Sequence, residues 1–389
     1  MPYNDLRELR DRLDALDDDL VSLVARRMDL VAEIGRVKRA AGRPDRDQGR
    51  EDEVMARARK AAVRVGVPPE LAVSLLQSLV RASLQVQEQD RVVARGSGAG
   101  RTALVIGGEG RMGRWFGRFL RSQGFRVISA DPAGPADPAD QADHVADWHG
   151  LEVSPDVIVV AAPLEATGRI LRELADSRPR GLVFDVGSLK SPLRGAFEAL
   201  VAAGVRVASV HPMFGPDVAL LSGRHVIFVD VGVPEATQEA KVLFAATMAD
   251  VVDMSLDDHD RVIGYVLGMS HALNIAFFTA LARSKLDAAS LDSISSTTFD
   301  AQMDVASRVA RENPRLYYEI QALNAHGRAP LEAIRQAIEE VVGKVVHGDE
   351  AGFVSLMENG REYLDGLRAR TVSGGGWSYR MIESDSQFR

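Results

Sequence analysis

The sequence predicts a multidomain chain in which an all-α domain is followed by an α/β domain and then by a second all-α domain. Three observations predict this order. A heptad-like row of leucines opens the chain, short apolar runs alternate with helical segments between about residues 102 and 232, and helical patterns alone follow to about residue 370. Strands that alternate with helices are typical of a parallel, doubly wound sheet.

The row of leucines between Leu6 and Val37 has one missing step, and Arg27 occupies that step. A row of this length is typical of a helical bundle. A guanidinium on the apolar face of a bundle is costly unless an anion compensates it. Ser83 and Gln87 likewise replace leucines on the apolar stripe of the third predicted helix. For any one of these residues the alternative is a buried polar network, but together they favour an anion-binding pocket inside the bundle.

The segment GEGRMG (108–113) follows a strand-like run and opens a predicted helix. Gly108 allows a tight turn, Gly110 lets the backbone approach a pyrophosphate, and Gly113 lets the helix pack closely on the sheet. Asp131 ends the next predicted strand, and its carboxylate suits a ribose 2′-hydroxyl but repels a 2′-phosphate. The pattern therefore predicts a Rossmann domain that binds NAD rather than NADP. The same cofactor site is expected to include Arg111, Met112 and Pro163.

The segment HPMFGPD (211–217) ends an apolar, strand-like run on His211. Two prolines and a glycine then exclude regular structure, so the imidazole is held in a fixed place. A neutral imidazole with an ordinary pKa of about 6.5 can act as a general base at working pH. The alternative is a structural histidine that caps the end of the strand.

Composition argues against several classes of function. The chain has 389 residues, a net charge of −8 and no cysteine. The negative charge argues against nucleic acid or an anionic membrane as a partner. The lack of cysteine removes disulfides and thiolate metal sites, and the histidines lack ligand spacing, so no metal is expected. The charged first residues do not resemble a signal peptide, and no uncharged apolar run approaches a membrane span, so a cytoplasmic protein is expected.

Residues 5–90 resemble the all-helical chorismate mutase family through the segments LRDRLDALDDDLVSLVARR, GRVK, RPDRDQGRE and SLQVQ. The resemblance implies an intertwined dimer in which the residue at the place of Arg10 reaches the partner's site. It implies Arg27, Lys38 and Gln87 as catalytic residues, and Arg10, Asp47, Arg50, Glu51 and Ser83 as substrate-binding residues. The implied reaction is a pericyclic rearrangement of a dianion, which needs well-placed cations and donors but no nucleophile.

Residues 102–370 resemble prephenate dehydrogenases through GGEGRMGRWF, DVGSLKSPL, HPMFGPD, DDHDRVIGYVLGMSHAL and SRVARENPRLYYEI. The resemblance implies that His211 is the catalytic histidine. It implies Ser188, Lys190, His271 and Arg308 as residues of the substrate pocket. Asp300 stands where bifunctional relatives can carry an arginine, a departure expected to alter local pairing. His259 is interpreted as a member of a helix N-terminal cap network.

Together the two resemblances identify the chain as a bifunctional enzyme that converts chorismate to prephenate and then, with NAD, prephenate to 4-hydroxyphenylpyruvate. The expected units are a mutase domain, a linker, a Rossmann domain, a helical substrate and dimerisation domain, and a tail, at 1–92, 93–101, 102–232, 233–372 and 373–389. The alternative within this class uses 4-amino-4-deoxy substrates. Two other readings are a ligand-sensing regulatory protein and a dehydrogenase of another small acid. Tyrosine feedback, channelling between the domains and any assembly beyond a homodimer stay open.

Overall fold

The computed structural model describes residues 2–42, 46–135 and 143–373. The predicted break at Pro44 and residues 374–389 of the predicted tail lie outside them. The chain opens with the helices α1 (Pro2–Ala40), α2 (Gln48–Val65) and α3 (Pro69–Ala94). The side chain of Asp47 begins α2 by accepting a hydrogen bond from the N–H of Arg50, and Gly66 ends α2 in the left-handed conformation.

The leucine row of α1 is open to solvent within this chain. Each leucine of the row from Leu6 to Leu23 is between 44% and 60% exposed. The seam predicted as the core of the bundle therefore has no cover among the described residues of this chain. A long apolar row of this kind is typical of a surface that meets another protein.

The α/β domain is built on one sheet of eight strands. Its strands are β1 (Thr102–Ile106), β2 (Arg126–Ala130), β3 (His144–Val145), β4 (Val157–Val160), β5 (Leu182–Asp185), β6 (Val207–Pro212), β7 (His225–Asp230) and β8 (Asp250–Ser255). Their order across the sheet is β3-β2-β1-β4-β5-β6-β7-β8. The helices that cover its two faces are α4 (Arg111–Ser122), α5 (Leu164–Ser177), α6 (Arg194–Ala202) and α7 (Pro234–Phe244).

The sequence predicts a parallel sheet, but the observed sheet is mixed. Strand β7 runs antiparallel to β6, and β8 runs parallel to β7. A parallel pair needs a crossover, usually a helix, whereas residues 213–224 between β6 and β7 contain none. The strands also continue past residue 234, where the sequence predicts that they stop. β8 was missed because it is an edge strand whose side chains are exposed or half-buried, so no apolar run marks it.

Residue Glu88 of α3 ties the first domain to the sheet domain. Its side chain is 4% exposed and accepts a hydrogen bond of 2.7 Å from the N–H of Leu221, with a second from the N–H of Met248. Arg91, one turn later, donates through Nε to the carbonyl oxygen of Ala246 at 2.6 Å. Leu221 belongs to the loop that follows His211, so the mutase-like bundle supports that loop directly.

The C-terminal part of the described chain is helical. Its helices are α8 (Leu256–Ile263), α9 (Ser270–Ser284), α10 (Ala288–Ser293), α11 (Thr297–Ala310), α12 (Pro314–Ala322), α13 (Arg328–Val346) and α14 (Glu350–Ser373). A π-helical turn, Gly264–Met269, joins α8 to α9. The whole stretch Leu256–Ser284 is long and apolar enough to cross a bilayer by length and composition, a feature absent from the sequence-based expectation. The first turns of this stretch hold the fully buried Asp260 against the sheet domain. The stretch is therefore only weak evidence for a membrane span.

Candidate active sites

His211 lies in β6 at the carboxyl end of the parallel strands and is 3% exposed. Its Nδ1 lies 2.9 Å from Nε2 of His259, and Nδ1 of His259 lies 2.7 Å from Oδ1 of Asp260. His259 and Asp260, both on α8, have no exposed surface. These three side chains form a buried hydrogen-bonded row, hereafter the His211 row, with His211 at one end.

Asp260 anchors the other end of the His211 row. Its carboxylate accepts hydrogen bonds from the N–H of Lys190 at 3.0 Å and the N–H of Ser191 at 2.7 Å. Burial by itself raises the pKa of Asp260, but the hydrogen bonds from His259 and Ser191 outweigh it, and the net shift is downward. The group is therefore an ionised acceptor at neutral pH.

His259 is not part of the helix cap, contrary to the sequence-based interpretation. The cap of α8 is Ser255, whose hydroxyl oxygen accepts from the N–H of Asp258 at 3.1 Å. The ring of His259 points into the protein, where it has no exposed surface and its centroid lies 5.1 Å from that of His211. The only sequence signal for this role is a His-Asp pair at the start of an apolar helix, which by itself is weak.

The side chain of Lys190, for which the resemblance implies substrate binding, is enclosed by protein atoms. Its side chain has no exposed surface, and Nζ donates to Asp185 at 2.7 Å and to the carbonyl oxygen of Val210 at 3.0 Å. Ser209 also donates to Asp185, at 2.7 Å. Lys190 thus fixes the backbone immediately before His211. Ser188, two residues earlier, is half-buried beyond the carboxyl end of β5.

The pKa of His211 is lowered well below its ordinary value, and the sequence-based expectation of an unperturbed pKa was wrong. Burial is the main cause, and the facing His259 and Lys190 add to it. Both effects disfavour a positive charge on the ring. His211 is therefore neutral at physiological pH.

A pH prediction follows from this shift. The acid limb of the dehydrogenase kcat/KM is expected below pH about 6.5, the ordinary value for histidine. Because the folded pKa is depressed, His211 stays neutral as the pH falls through 6.5 and is protonated only at lower pH. The groups that face the two rings are Lys190, Asp185 and Asp260. Steady-state rates of NADH formation between pH 4.5 and 8 measure the limb, and a midpoint above 6.5 contradicts this account.

His271 and Arg308 lie on separate helices of the C-terminal domain. The His271 ring centroid is 4.1 Å from that of Tyr317, and its Nδ1 is buried without a hydrogen-bond partner among the described residues. Burial lowers the pKa of His271 to about 4. Arg308, on α11, is exposed, and no hydrogen bond or ion pair in the described chain links it to the His211 row. Asp300 accepts a hydrogen bond from Ser295 at the start of the same helix.

The glycine turn after β1 has the form that a dinucleotide requires. A Cβ at Gly108 would lie 2.2 Å from Oγ of Ser129, and one at Gly113 would lie 2.0 Å from the carbonyl oxygen of Gly107. Gly110 is the N-cap residue of α4 and is exposed. Gly108 and Gly113 thus allow close packing, while Gly110 leaves the N-terminus of α4 accessible to a pyrophosphate. Met112 lies in the first turn of α4, and Pro163 precedes α5.

Two carboxylates lie together where the adenosine ribose of a dinucleotide is expected. Asp131 accepts through Oδ2 from the N–H of Glu109 at 3.1 Å and through Oδ1 from the N–H of Ala133 at 3.0 Å. The Glu109 carboxylate accepts from Ser129 at 2.8 Å. Sequence reasoning missed Glu109, which adds to the negative charge. Arg111 is held away from this end by ion pairs of 2.9 Å to Asp217 and Glu312.

Asp131→Asn is expected to raise the use of NADP relative to NAD. The change removes one of two charges that repel a 2′-phosphate, while the amide can still bind a ribose hydroxyl. The ratio of kcat/KM for the two cofactors measures the effect. Asp230→Asn, an exposed strand-end carboxylate elsewhere on the sheet, is the control. A wild-type enzyme that already prefers NADP contradicts the assignment.

A second polar cluster lies between α1 and α3. Nη1 of Arg27 donates to Oγ of Ser83 at 2.6 Å and to the carbonyl oxygen of Leu79 at 3.0 Å. Gln87 donates to the carbonyl oxygen of Val31 at 3.2 Å. Ser83 and Gln87 are buried, and burial lowers the pKa of Arg27, which nevertheless stays charged. Arg27 therefore meets Ser83, and Gln87 contacts α1 one turn further along.

The remaining predicted residues of the first domain do not join this cluster through hydrogen bonds that the structure defines. Lys38 is half-buried on α1, and Arg10 is exposed on the same helix. At the start of α2, Asp47 serves as the helix cap and Arg50 pairs with Glu53 at 2.7 Å. Glu51 pairs with Arg46 at 3.1 Å.

Comparisons with known proteins divide the chain in the same order. Residues 9–88 match chorismate mutase type II, residues 116–252 the nucleotide-binding domain of prephenate dehydrogenase, and residues 255–359 its dimerization domain. The T-protein of Enterobacter agglomerans is 27% identical over 90% of this chain and 91% of its own length. A 4-amino-4-deoxychorismate mutase from Streptomyces venezuelae is 36% identical over 24% of this chain and 89% of its own.

Among solved structures, prephenate dehydrogenase from A. aeolicus in complex with hydroxyphenyl propionate and NAD+ has a TM-score of 0.56. It is 20% identical and covers 70% of this chain and 98% of its own. At this identity the likeness concerns the fold alone.

Proposed function

This chain belongs to the bifunctional chorismate mutase–prephenate dehydrogenase family, and we propose that its two polar clusters carry two consecutive reactions. It is an enzyme that rearranges chorismate to prephenate and converts prephenate to 4-hydroxyphenylpyruvate by NAD-dependent oxidative decarboxylation. The observation that supports the second reaction most is the buried, neutral His211 at the carboxyl end of the sheet. We place the boundary between the two units in residues 93–101.

In the dehydrogenase site, His211 faces the C4 hydroxyl of prephenate. The glycine turn of Gly108, Gly110 and Gly113 would hold NAD, which would supply the acceptor for the hydride that leaves C4. As the hydroxyl becomes a carbonyl, the neutral imidazole takes its proton. The ring carboxylate then leaves as CO2, and its bonding electrons pass through the ring to the C4 oxygen. His211 returns the proton to that oxygen, which becomes the phenol, so the residue ends the cycle neutral. Ser188, His271 and Arg308 bind the substrate.

In the mutase site, the protein holds a flexible dianion in the conformer that reacts. Arg27 and the partner's Arg10 bind its carboxylates, and Lys38 and Gln87 donate to the ether oxygen as the C–O bond breaks. Arg27 and Gln87 are held by hydrogen bonds to Ser83 and to the carbonyl oxygen of Val31, so these two donors need little reorganisation at the transition state. Ser83 holds the Arg27 guanidinium at 2.6 Å and thus sets its direction.

The proposal is tested by supplying chorismate with NAD and following prephenate, CO2 and NADH. We expect prephenate to form without NAD and 4-hydroxyphenylpyruvate to form only with it. An enzyme that consumes chorismate but leaves supplied prephenate unchanged in the presence of NAD contradicts the proposal for the second domain.

The same reactions on 4-amino-4-deoxy substrates are the second candidate. The similarity of residues in the first domain to a 4-amino-4-deoxychorismate mutase favours it. It has less support than the first candidate, since the T-protein similarity extends over most of the chain. Parallel assays with prephenate and 4-amino-4-deoxyprephenate separate the two by kcat/KM.

A homodimer in the cytoplasm is the proposed assembly and location. Apolar side chains are exposed along α13 and α14 as well as along α1, for example Val345 at 64% and Met357 at 66%. An open apolar groove of about 470 Å³ runs along α9 beside Ile275 and Leu331. Both ends of the chain therefore present faces that a second copy can cover.

Sedimentation at micromolar concentration is expected to give a mass of at least twice 42.1 kDa. The reason is that the exposed row of α1 and the apolar faces of the C-terminal helices lose contact with water only by association. Leu13→Glu, in the middle of the α1 row, should weaken association of the mutase halves. A monomeric wild-type protein at that concentration contradicts the proposed assembly.

A further inference from the structure

The donors and acceptors of the His211 row are fixed from its Asp260 end. The carboxylate of Asp260 is ionised, so it can only accept hydrogen bonds. Nδ1 of His259, 2.7 Å away, therefore carries a hydrogen and donates it. Burial lowers the pKa of His259, although Asp260 opposes this shift, so the ring is neutral. A neutral imidazole with its hydrogen on Nδ1 has a lone pair on Nε2.

That lone pair faces Nδ1 of His211 at 2.9 Å. Two ring nitrogens at this distance form a hydrogen bond only if one donates and the other accepts. Nδ1 of His211 therefore carries a hydrogen. Because the ring of His211 is also neutral, its other nitrogen, Nε2, has none and is free to take a proton.

We propose that His259 and Asp260 are positioning residues that hold His211 in the tautomer whose Nε2 is the base. The inference deepens the proposed dehydrogenase mechanism and rests on the role of His211 in it. Neither residue touches the substrate in this account, and both act through the His211 ring. Asp260 also orders the backbone of Lys190, whose ammonium holds the carbonyl oxygen of Val210 next to His211.

The arrangement also predicts how the base is lost. If His259 gains a proton, its Nε2 donates to Nδ1 of His211, and the hydrogen of His211 then resides on Nε2. The same exchange follows if an amide replaces the carboxylate and donates its N–H to His259. In both cases His211 faces the substrate with a donor, and it can no longer accept the hydroxyl proton.

The test compares Asp260→Asn with Asp258→Asn in the full-length enzyme. Asp258 lies two residues away on the same helix, is exposed, and pairs with Ser255 and Arg261, so its change is the matched control. Asp260→Asn is expected to lower the dehydrogenase kcat by at least about 10-fold. The loss should not exceed the contribution of the base itself, about 10²–10⁴-fold. The KM for prephenate, the KM for NAD and the mutase rate should stay within about twofold.

A direct readout is the ¹⁵N spectrum of the histidine side chains, assigned by the loss of one ring in His211→Asn. The wild-type enzyme should show His211 with its hydrogen on Nδ1, and Asp260→Asn should move it to Nε2. The wild-type spectrum keeps the proposal testable even if Asp260→Asn folds poorly.

A wild-type His211 with its hydrogen on Nε2 overturns the proposal, as does an Asp260→Asn enzyme with an unchanged kcat. If Asp260→Asn keeps its kcat while His211→Asn loses activity, the row fails as a positioning device and the proposed function stands. If His211→Asn also keeps its kcat, the proposed role of His211 fails as well.

Discussion

Replacing His211 with asparagine is expected to lower the dehydrogenase kcat by about 10²–10⁴-fold, the usual contribution of a general base. An asparagine side chain can hydrogen-bond the C4 hydroxyl of prephenate but cannot take its proton. The asparagine side chain is smaller than the imidazole that it replaces beside His259, so the fold should tolerate the substitution. Initial rates of NADH formation at saturating prephenate and NAD measure the effect.

Two comparisons separate loss of the base from loss of the fold. The mutase rate of His211→Asn should be unchanged, because the Arg27 cluster lies between α1 and α3. Arg308→Ala should instead raise the KM for prephenate, since an exposed guanidinium on α11 can bind a carboxylate but lies outside the His211 row. Near-normal NADH formation by His211→Asn would leave HPMFGPD with a purely structural role.

Replacing Arg27 with alanine is expected to lower mutase turnover by about 10²–10³-fold, the usual effect of removing one preorganised donor from a developing charge. The guanidinium of Arg27 is the cation that the structure places next to the buried Ser83. Ser83 keeps a partner after the change, because its hydroxyl also donates to the carbonyl oxygen of Leu79 at 2.6 Å. Consumption of chorismate is the measurement.

The neighbouring arginine supplies the control for this prediction. Arg26 is exposed on the same helix. Arg26→Ala therefore removes the same charge and changes helix propensity by the same amount, without altering the Arg27 cluster. It should leave both activities unchanged, and Arg27→Ala should leave dehydrogenation of supplied prephenate intact. Equal losses of both activities in Arg27→Ala would indicate a folding defect instead of a site.

Local patterns of the sequence determined the order of the domains and part of each site. The alternation of strands and helices, the glycine spacing of 108–113 and the proline-stiffened end of β6 are local constraints on backbone geometry, which a short window of sequence contains. The missing leucine position in the row singled out Arg27 in the same way, because the helical repeat defines which residues share one face of a helix. The structure places Arg27 beside Ser83, a contact between α1 and α3 within the same bundle.

Only the tertiary structure decided which polar groups meet. His211 and His259 are 48 residues apart, and they meet because α8 packs against β7 and β8, next to β6 in the sheet. Tertiary packing also buries Lys190 against Asp185, although the family resemblance implied that Lys190 binds substrate. The reversal of β7 and the placing of Glu88 under the loop after His211 are likewise long-range outcomes. A sequence pattern specifies which face of a helix or strand is apolar. The partner of a buried charge is set by the whole fold, because a charge must be paired only once folding has removed it from water.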